Sequence, residues 1–296
     1  MNLLIAVSLI LSIFGYHQTP KFTAYDQNPP KTAAIETIEV RPAPRLNNKD
    51  QLFEGITASG LALTDIKSGS ILAYKNLNKN FATASITKLM TALVVLENYD
   101  PNQTVTVSYK AASINGSKVH LSPGEQISVR NLIFGMLVAS GNDAAIALEE
   151  HFGEGELVNL MSEKAVELGM ENTHFADASG LSLENRSTPK DLTILTKAAS
   201  KHPLIAEALQ AREITLTSID GGAQHLIHTT NRLLKNYPDI TGVKTGYTEE
   251  AGFCLISSAK RGEHELLLVL LGSQSDDARF DENRAILDRA FENITW

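Results

Sequence analysis

The sequence predicts an α+β fold: an antiparallel sheet built from both ends of the domain, flanked by helices, with an all-helical block inserted between its strands. Three observations lead there. Strand-like runs open the folded part, Ile56–Asp65 and Ser70–Lys75, and strands return late, at Glu213–Ser218, Gly252–Ala259 and Glu263–Leu271. Between Ser85 and about Leu209 the apolar residues recur at helical spacing, and a last helical pattern runs from Arg279 to Phe291. Strands, helices, strands and a closing helix suit one sheet interrupted by a helical insertion.

The elements follow in order. The first two strands turn at Gly69 and read as a hairpin. Helices are expected over Ser85–Glu97, Val129–Val138, Asp143–Phe152 and Glu156–Leu168, the last stopped by Gly169. Thr188-Pro189-Lys190-Asp191 is a capping box with proline at the first helical position.

Composition narrows the function classes. The 296 residues are 43% hydrophobic and 20% charged, an ordinary globular balance. The 26 Lys and Arg against 34 Asp and Glu give a net charge of −8, which argues against a nucleic-acid partner. A single cysteine, Cys254, excludes an internal disulfide and a Cys-rich zinc site. The histidines show no metal-ligand spacing, so neither a metal nor a cofactor is expected.

Leu3–Phe14 is apolar apart from Ser8 and Ser12. It is shorter than the ~20 apolar residues of a spanning helix and matches the apolar region of an export signal. Residues 1–16 therefore read as an export signal or short N-terminal anchor. No Lys or Arg precedes the run and no Ala-x-Ala follows it. Residues 17–50 hold Pro20, Pro29, Pro30, Pro42 and Pro44 and read as a linker, leaving 51–296 as the catalytic body.

Three short motifs can carry chemistry. Ser85-Ile86-Thr87-Lys88 places a hydroxyl and an amine on one helix face, at the head of an apolar helix that would hold a nucleophile rigidly. Serine needs a base, and lysine serves only when its pKa is depressed, here by burial and by Lys244. Ser187…Lys190 and Ser257…Lys260 share the spacing, so it does not discriminate alone. Ser140-Gly141-Asn142 lies between two helices and offers a proton relay and an amide, although Asn142 or Asp143 also reads as a plain helix cap. Lys244-Thr245-Gly246, expected between a glycine turn and the strand at Gly252, combines a cation, a hydroxyl and room for close backbone approach, although by itself it also reads as a plain solvated turn.

In this order the three motifs resemble those of penicillin-binding proteins and serine β-lactamases. Longer words (Ala84–Leu93, Ser140–Ala145, Leu168-Gly169-Met170 with Asn172–Phe175, and Gly242–Thr248) resemble the low-molecular-mass penicillin-binding proteins that are D-alanyl-D-alanine carboxypeptidases. The resemblance covers roughly residues 55 to 293. It implies a β-lactamase/transpeptidase-like fold and a serine D,D-carboxypeptidase that removes the terminal D-alanine of peptidoglycan stem pentapeptides through an acyl-enzyme. Ser85 is then the nucleophile, Lys88 its base, Ser140 the proton relay and Asn142 a substrate ligand. Lys244 and Thr245 grip the terminal carboxylate beside Gly246, the N–H groups of Ser85 and Tyr247 form the oxyanion hole, and Arg279 stands near the carboxylate.

The resemblance also implies β-lactams as inhibitors, an exported location outside the cytoplasm, and any membrane tether at the N-terminus. The family often reads Asn-Pro-x-Gly-Leu where this chain has Asp177-Ala178-Ser179-Gly180-Leu181, a change expected to lie remote from the motifs. His120 reads as a solvated loop residue. A D,D-endopeptidase acting on cross-links is the nearest alternative. A class A β-lactamase would carry a Glu-x-x-Leu-Asn loop, which this sequence lacks.

Overall fold

The structure, a computed structural model, describes residues 43–296 apart from 48 and 154. The expected export signal or anchor at 1–16, and the linker as far as residue 42, lie outside the described residues. A five-stranded antiparallel sheet is formed by β1 (Gly60–Asp65), β2 (Ile71–Lys75), β3 (Ile240–Thr248), β4 (Gly252–Arg261) and β5 (His264–Ser273), in spatial order β3-β4-β5-β1-β2. The first and last parts of the body thus build one sheet, with β5 beside β1 (Leu268 opposite Leu63). Helices α1 (Lys88–Asn98), α2 (Val129–Val138), α3 (Asn142–Phe152), α4 (Glu156–Glu167), α5 (Pro189–Ala199) and α6 (Pro203–Gln210) form the inserted block, and α7 (Asp276–Asn293) follows the sheet.

The run Leu266–Leu271 explains the layering. Side chains alternate across a strand. Leu266, Leu268 and Leu270 pack with Phe280, Ile286 and Leu287 of α7. Leu267, Val269 and Leu271 join the other core, with Leu89 of α1 and Leu192 of α5. All six leucine and valine side chains are buried, which is why the strand reads as a continuous apolar run and not as an alternation. Burying a side chain of this size stabilises by about 1.5–3 kcal/mol.

Helix ends follow the local chemistry. The Thr188 hydroxyl accepts the Asp191 N–H at 3.1 Å, with Pro189 in the first turn of α5. Gly169, at φ +74°, closes α4, and the Met170 N–H reaches the Ala165 carbonyl at 2.8 Å.

Four expectations are corrected. Ser85 does not open a long α-helix: Ala84–Thr87 is a 3₁₀ turn and α1 begins at Lys88. Lys244-Thr245-Gly246 does not merely precede a strand, because it lies inside β3, where it pairs with Ile256, Leu255 and Cys254. Glu213–Thr217 does not join the main sheet; it pairs with Gln224–His228 in a separate hairpin. The linker does not extend to residue 50. Arg45–Leu46 pairs with Ile294–Thr295, Leu46 is buried in the α7 core, and Lys49–Leu52 is a short helix.

Candidate active site

The 3₁₀ turn carrying Ser85 is pressed between two glycines. A β-carbon on Gly246 would stand 3.2 Å from the Thr83 carbonyl oxygen and 3.3 Å from the Ala84 and Ile86 side chains, so β3 can lie directly on the turn. From the other side Gly180 meets the Ala84 carbonyl. Ala84 itself sits at φ +46°, a strained value for a residue with a side chain. Ser140 has φ +59°. The two strained residues flank the same cleft, a cavity of about 250 Å³ lined by Ser85, Ser140, Asn142, Thr245, Gly246, Tyr247 and Arg279, together with Gly116, Gly180, Leu181 and Thr230.

Lys88 lies on the inner side of Ser85 and is fully buried. Its Nζ is 2.9 Å from Ser85 Oγ and 2.8 Å from Asn142 Oδ1, and it also donates to the Ser179 carbonyl. Two of these partners are carbonyl oxygens, which only accept. A neutral amine has two N–H groups and one lone pair. Both N–H groups are therefore spent on Asn142 and Ser179, and the lone pair is left for the Ser85 hydroxyl. Burial lowers the Lys88 pKa to about 7, opposed by the negative charges of Asp177 and Asp143. Lys244, the second buried amine, is itself pushed well below the lysine range by burial first, then by the Lys88 and Arg279 charges, and its repulsion with Lys88 is mutual.

Asn142 begins α3 and does not cap it, since Gly141 holds the capping position. Its Nδ2 donates to the Asn115 carbonyl at 2.8 Å and its N–H to the Ser117 carbonyl at 2.8 Å. Gly116 is required between them, at φ +89°, because a β-carbon there would lie 2.7 Å from Asn142 Nδ2. The side chain is thus clamped with its oxygen toward Lys88. Ser140 is buried beside it, and its hydroxyl makes no hydrogen bond among the described residues.

On the β3 side, Thr245 Oγ1 is 2.6 Å from Thr230 Oγ1, and Lys244 Nζ reaches the Thr245 carbonyl at 3.1 Å. Arg279 donates to the Gly246 carbonyl at 3.0 Å, to the Cys254 carbonyl at 3.4 Å and to Asp276. Its guanidinium lies over Phe280 and Phe253, and its Nε has no partner among the described residues. Burial lowers its pKa, opposed by Asp276. Arg279 is therefore both a wall of the cleft and a tie holding β3 in place. Tyr247 is half-exposed and stacks on Phe253 at 4.3 Å between ring centres.

Every predicted site residue is brought to this cleft: Ser85, Ser140, Asn142, Thr245, Gly246, Tyr247 and Arg279 line it, Lys88 bonds Ser85, and Lys244 adjoins Thr245. Four others escaped the motif reading. Asp143 accepts the N–H groups of Val119, His120 and Leu121 and so fixes the loop above the cleft, leaving the His120 side chain in solvent as expected. Thr230 pairs with Thr245 but sits in a loop without a sequence signature. Asp177 and Ser179 belong to the segment expected to be remote from the motifs; instead the Ser179 carbonyl touches Lys88, Gly180 touches the turn that carries Ser85 and Leu181 lines the cleft. The signal was present, since Asp-x-Ser-Gly is an Asx-turn pattern.

Comparison with known proteins agrees with this arrangement. A family model described as D-alanyl-D-alanine carboxypeptidase matches residues 47–275. The D-alanyl-D-alanine carboxypeptidase DacF of Bacillus subtilis is 38% identical over 242 residues, covering 79% of this chain and 62% of the relative, so the chain spans under two thirds of that protein. A D-alanyl-D-alanine endopeptidase of Pseudomonas aeruginosa is 36% identical over 220 residues, covering 72% of this chain and 71% of the relative. The crystal structure of the Streptomyces K15 DD-transpeptidase superposes with a TM-score of 0.75 at 32% identity, covering 80% of this chain and 98% of that one. With the β-lactamase/transpeptidase-like sheet, the Ser85–Lys88 pair and a family match over most of its length, the chain belongs to the D-alanyl-D-alanine carboxypeptidase family.

Proposed function

We propose that the chain is a serine D,D-carboxypeptidase acting on peptidoglycan stem pentapeptides outside the cytoplasm. The observation that carries the reading is the set of Lys88 contacts, which leaves the amine's lone pair for the Ser85 hydroxyl. Ser85 Oγ attacks the carbonyl carbon of the penultimate D-alanine while its proton passes to Lys88 Nζ. The oxyanion is held by the N–H groups of Ser85 and Tyr247. As the tetrahedral intermediate collapses, the C–N bond breaks and the proton that Lys88 took from Ser85 passes through Ser140 to the leaving amine, which restores the neutral Lys88. Water then adds to the ester carbonyl and gives a proton to Lys88; the C–Oγ bond breaks, and Lys88 returns that proton to Ser85 Oγ.

The leaving residue's carboxylate meets Thr245, Lys244 and the Arg279 charge. Its arrival opposes the effects that depress Lys244 and favours the ammonium form. A β-lactam reacts by the same attack and stays as the ester.

Intact-mass measurement after incubation with penicillin tests the reading: one covalent adduct on the unmutated chain, none on Ser85→Ala. An adduct that persists in Ser85→Ala would overturn it. The Pseudomonas relative named an endopeptidase keeps a second reading open, and products separate the two. Free D-alanine from a pentapeptide supports the carboxypeptidase; monomers released from a cross-linked dimer support the endopeptidase. The N-terminal run, as export signal or membrane tether, belongs with this proposal. Among the described residues no helix is long and apolar enough to cross a membrane.

A further inference from the structure

The segment 176–182 has an unusual share of its backbone committed to side chains. Asn185 Oδ1 accepts the Ala176 N–H at 2.7 Å, Glu149 accepts the Ala178 N–H at 3.0 Å, and Thr91 donates to the Ala178 carbonyl at 2.7 Å. At its centre is one carboxylate. Asp177 Oδ1 accepts the Ser179 N–H at 2.7 Å, the Ser179 hydroxyl at 3.1 Å and the Gly180 N–H at 2.5 Å, while Oδ2 accepts the Ser182 N–H. Four donors converging on one carboxylate fold the chain into a tight turn. The carbonyl that leaves this turn is that of Ser179, and it points at Lys88 Nζ.

We propose that Asp177 is a positioning residue for Lys88, shaping the turn that aims the Ser179 carbonyl at Nζ and placing a negative charge in the loop that faces the amine. The proposal rests on the reading of Lys88 as the base for Ser85. Its geometric part follows from the contacts above. Without this carboxylate the Ser179 carbonyl is held only through the neighbouring Ala178 contacts to Glu149 and Thr91, so one of the two N–H partners that orient the lone pair is loosened.

Its electrostatic part follows from the charges around Nζ. Asp177 faces Lys88 from the loop, Asp143 from α3 and Lys244 from β3. Asp177 and Asp143 favour the ammonium form, and burial opposes them. Glu149, beneath the loop, has its own pKa raised, chiefly by burial, with Asp177 contributing. Neutralising Asp177 while keeping an oxygen at its place must therefore make Lys88 easier to deprotonate.

The test is the pH profile of penicillin acylation, read as the rate of adduct formation at Ser85 in the full chain. Asp177→Asn keeps Oδ1 and its three donors but removes the charge. Its acid limb should move to lower pH by about 0.5 or more. Asp177→Ser also removes the charge and keeps a short acceptor, and it should move the limb in the same direction if the amide is poorly tolerated opposite the Ser182 N–H. Asp177→Ala removes both functions, and its maximal rate should fall about tenfold or more, with Asp177→Asn recovering part of the loss. A limb that stays at the unmutated pH in either charge-removed variant would overturn the proposal. So would an Asp177→Ala variant acylating at the full rate, since a turn that merely stabilises the fold moves melting temperature and not the limb. Absence of any adduct on the unmutated chain would instead sink the base reading, and the proposal with it, so the two failures are distinguishable.

Discussion

Gly180 rests on the carbonyl of Ala84: a β-carbon at position 180 would stand 2.0 Å from that oxygen and 3.0 Å from the Ser85 nitrogen. No real β-carbon tolerates the first distance, and the obstructing atom is backbone. Any side chain at 180 must push the turn that carries Ser85, already strained at Ala84, toward β3. Gly180→Ala should therefore lower penicillin acylation by more than about tenfold, because the reacting atoms lose alignment. Gly124 is the control. It has nearly the same φ, +83° against +84°, with no atom within 4 Å of the added carbon. Gly124→Ala should cost only the backbone strain, about 1 kcal/mol, and leave acylation unchanged. Equal effects of the two substitutions on acylation would show that φ, and not contact with the turn, limits position 180.

The Lys88 contacts make a prediction about pH in the unmutated chain. Lysine's pKa is lowered from 10.5 to about 7 by burial. With Lys88 as the proposed base, the active form is the neutral amine, present above that value and lost below it. Adduct formation with penicillin should be flat on the alkaline side of about pH 7 and fall roughly tenfold for each further pH unit on the acid side. An acid limb near pH 4, the carboxylate range, or a rate still climbing through pH 9, would assign the controlling proton to another group.

How much of this was legible in the sequence depends on how local each contact is. Ser85 and Lys88 are three residues apart, and Ser140 and Asn142 two, so their types and spacing carry the information. The same holds for Thr188 and Asp191 in the capped helix. Lys244-Thr245-Gly246 carries its residue types in the sequence but not its place inside a strand. Gly242, Lys244, Thr245 and Gly246 lack the alternation of a half-buried strand, and β3 is an edge strand whose free side faces the cleft, where function and not packing selects side chains. The Ser179–Lys88 contact spans 91 residues, and Thr230–Thr245 joins two segments by a hydroxyl pair without pattern. The Arg45–Leu46 ladder was hidden for a related reason. Two residues beside Pro42 and Pro44 look like linker until the far end of the chain supplies Ile294 and Thr295 as partners.

That ladder sets where the catalytic body begins. Leu46 and Leu52 are buried against the α7 layer, Asn47 donates to Thr295 Oγ1 at 2.8 Å, and Arg289 reaches the carbonyls of Leu52 and Glu54 at 3.2 and 2.8 Å. Two chains beginning at residue 43 and at residue 51 should therefore differ. The shorter exposes the partner surface of Leu46, which costs about 2 kcal/mol, and opens a two-residue ladder. For a body of this size that is a melting temperature lower by roughly 4–8 °C, with penicillin binding retained. Coincident melting curves would show that residues 43–50 add nothing and restore the boundary at 51.

The Arg279 tie decides how the carboxylate end of the cleft is read. The guanidinium is held by the Gly246 and Cys254 carbonyls and by Asp276, so it has two separable functions: it fixes β3 at the residue that backs the nucleophile, and it brings positive charge to a cleft wall. The first acts on every substrate. The second acts only where a carboxylate is present, as it is on the terminal D-alanine of a free-acid peptide and is not on the corresponding amide. Arg279→Lys keeps charge but loses the planar fork that joins the two carbonyls, through Nη1, to Asp276, through Nη2, whereas Arg279→Ala loses both. If the charge helps to seat the carboxylate, kcat/KM on a free-acid D-Ala-D-Ala peptide should fall about tenfold or more in Arg279→Ala, roughly 1.4 kcal/mol. The ratio of acid to amide cleavage should fall with it, and Arg279→Lys should preserve the ratio even where both rates drop. An equal loss on acid and amide in Arg279→Ala would leave Arg279 with the tie alone. Recognition of the carboxylate would then rest on Thr245, which β3 carries into the cleft, and on the buried Lys244 that adjoins it.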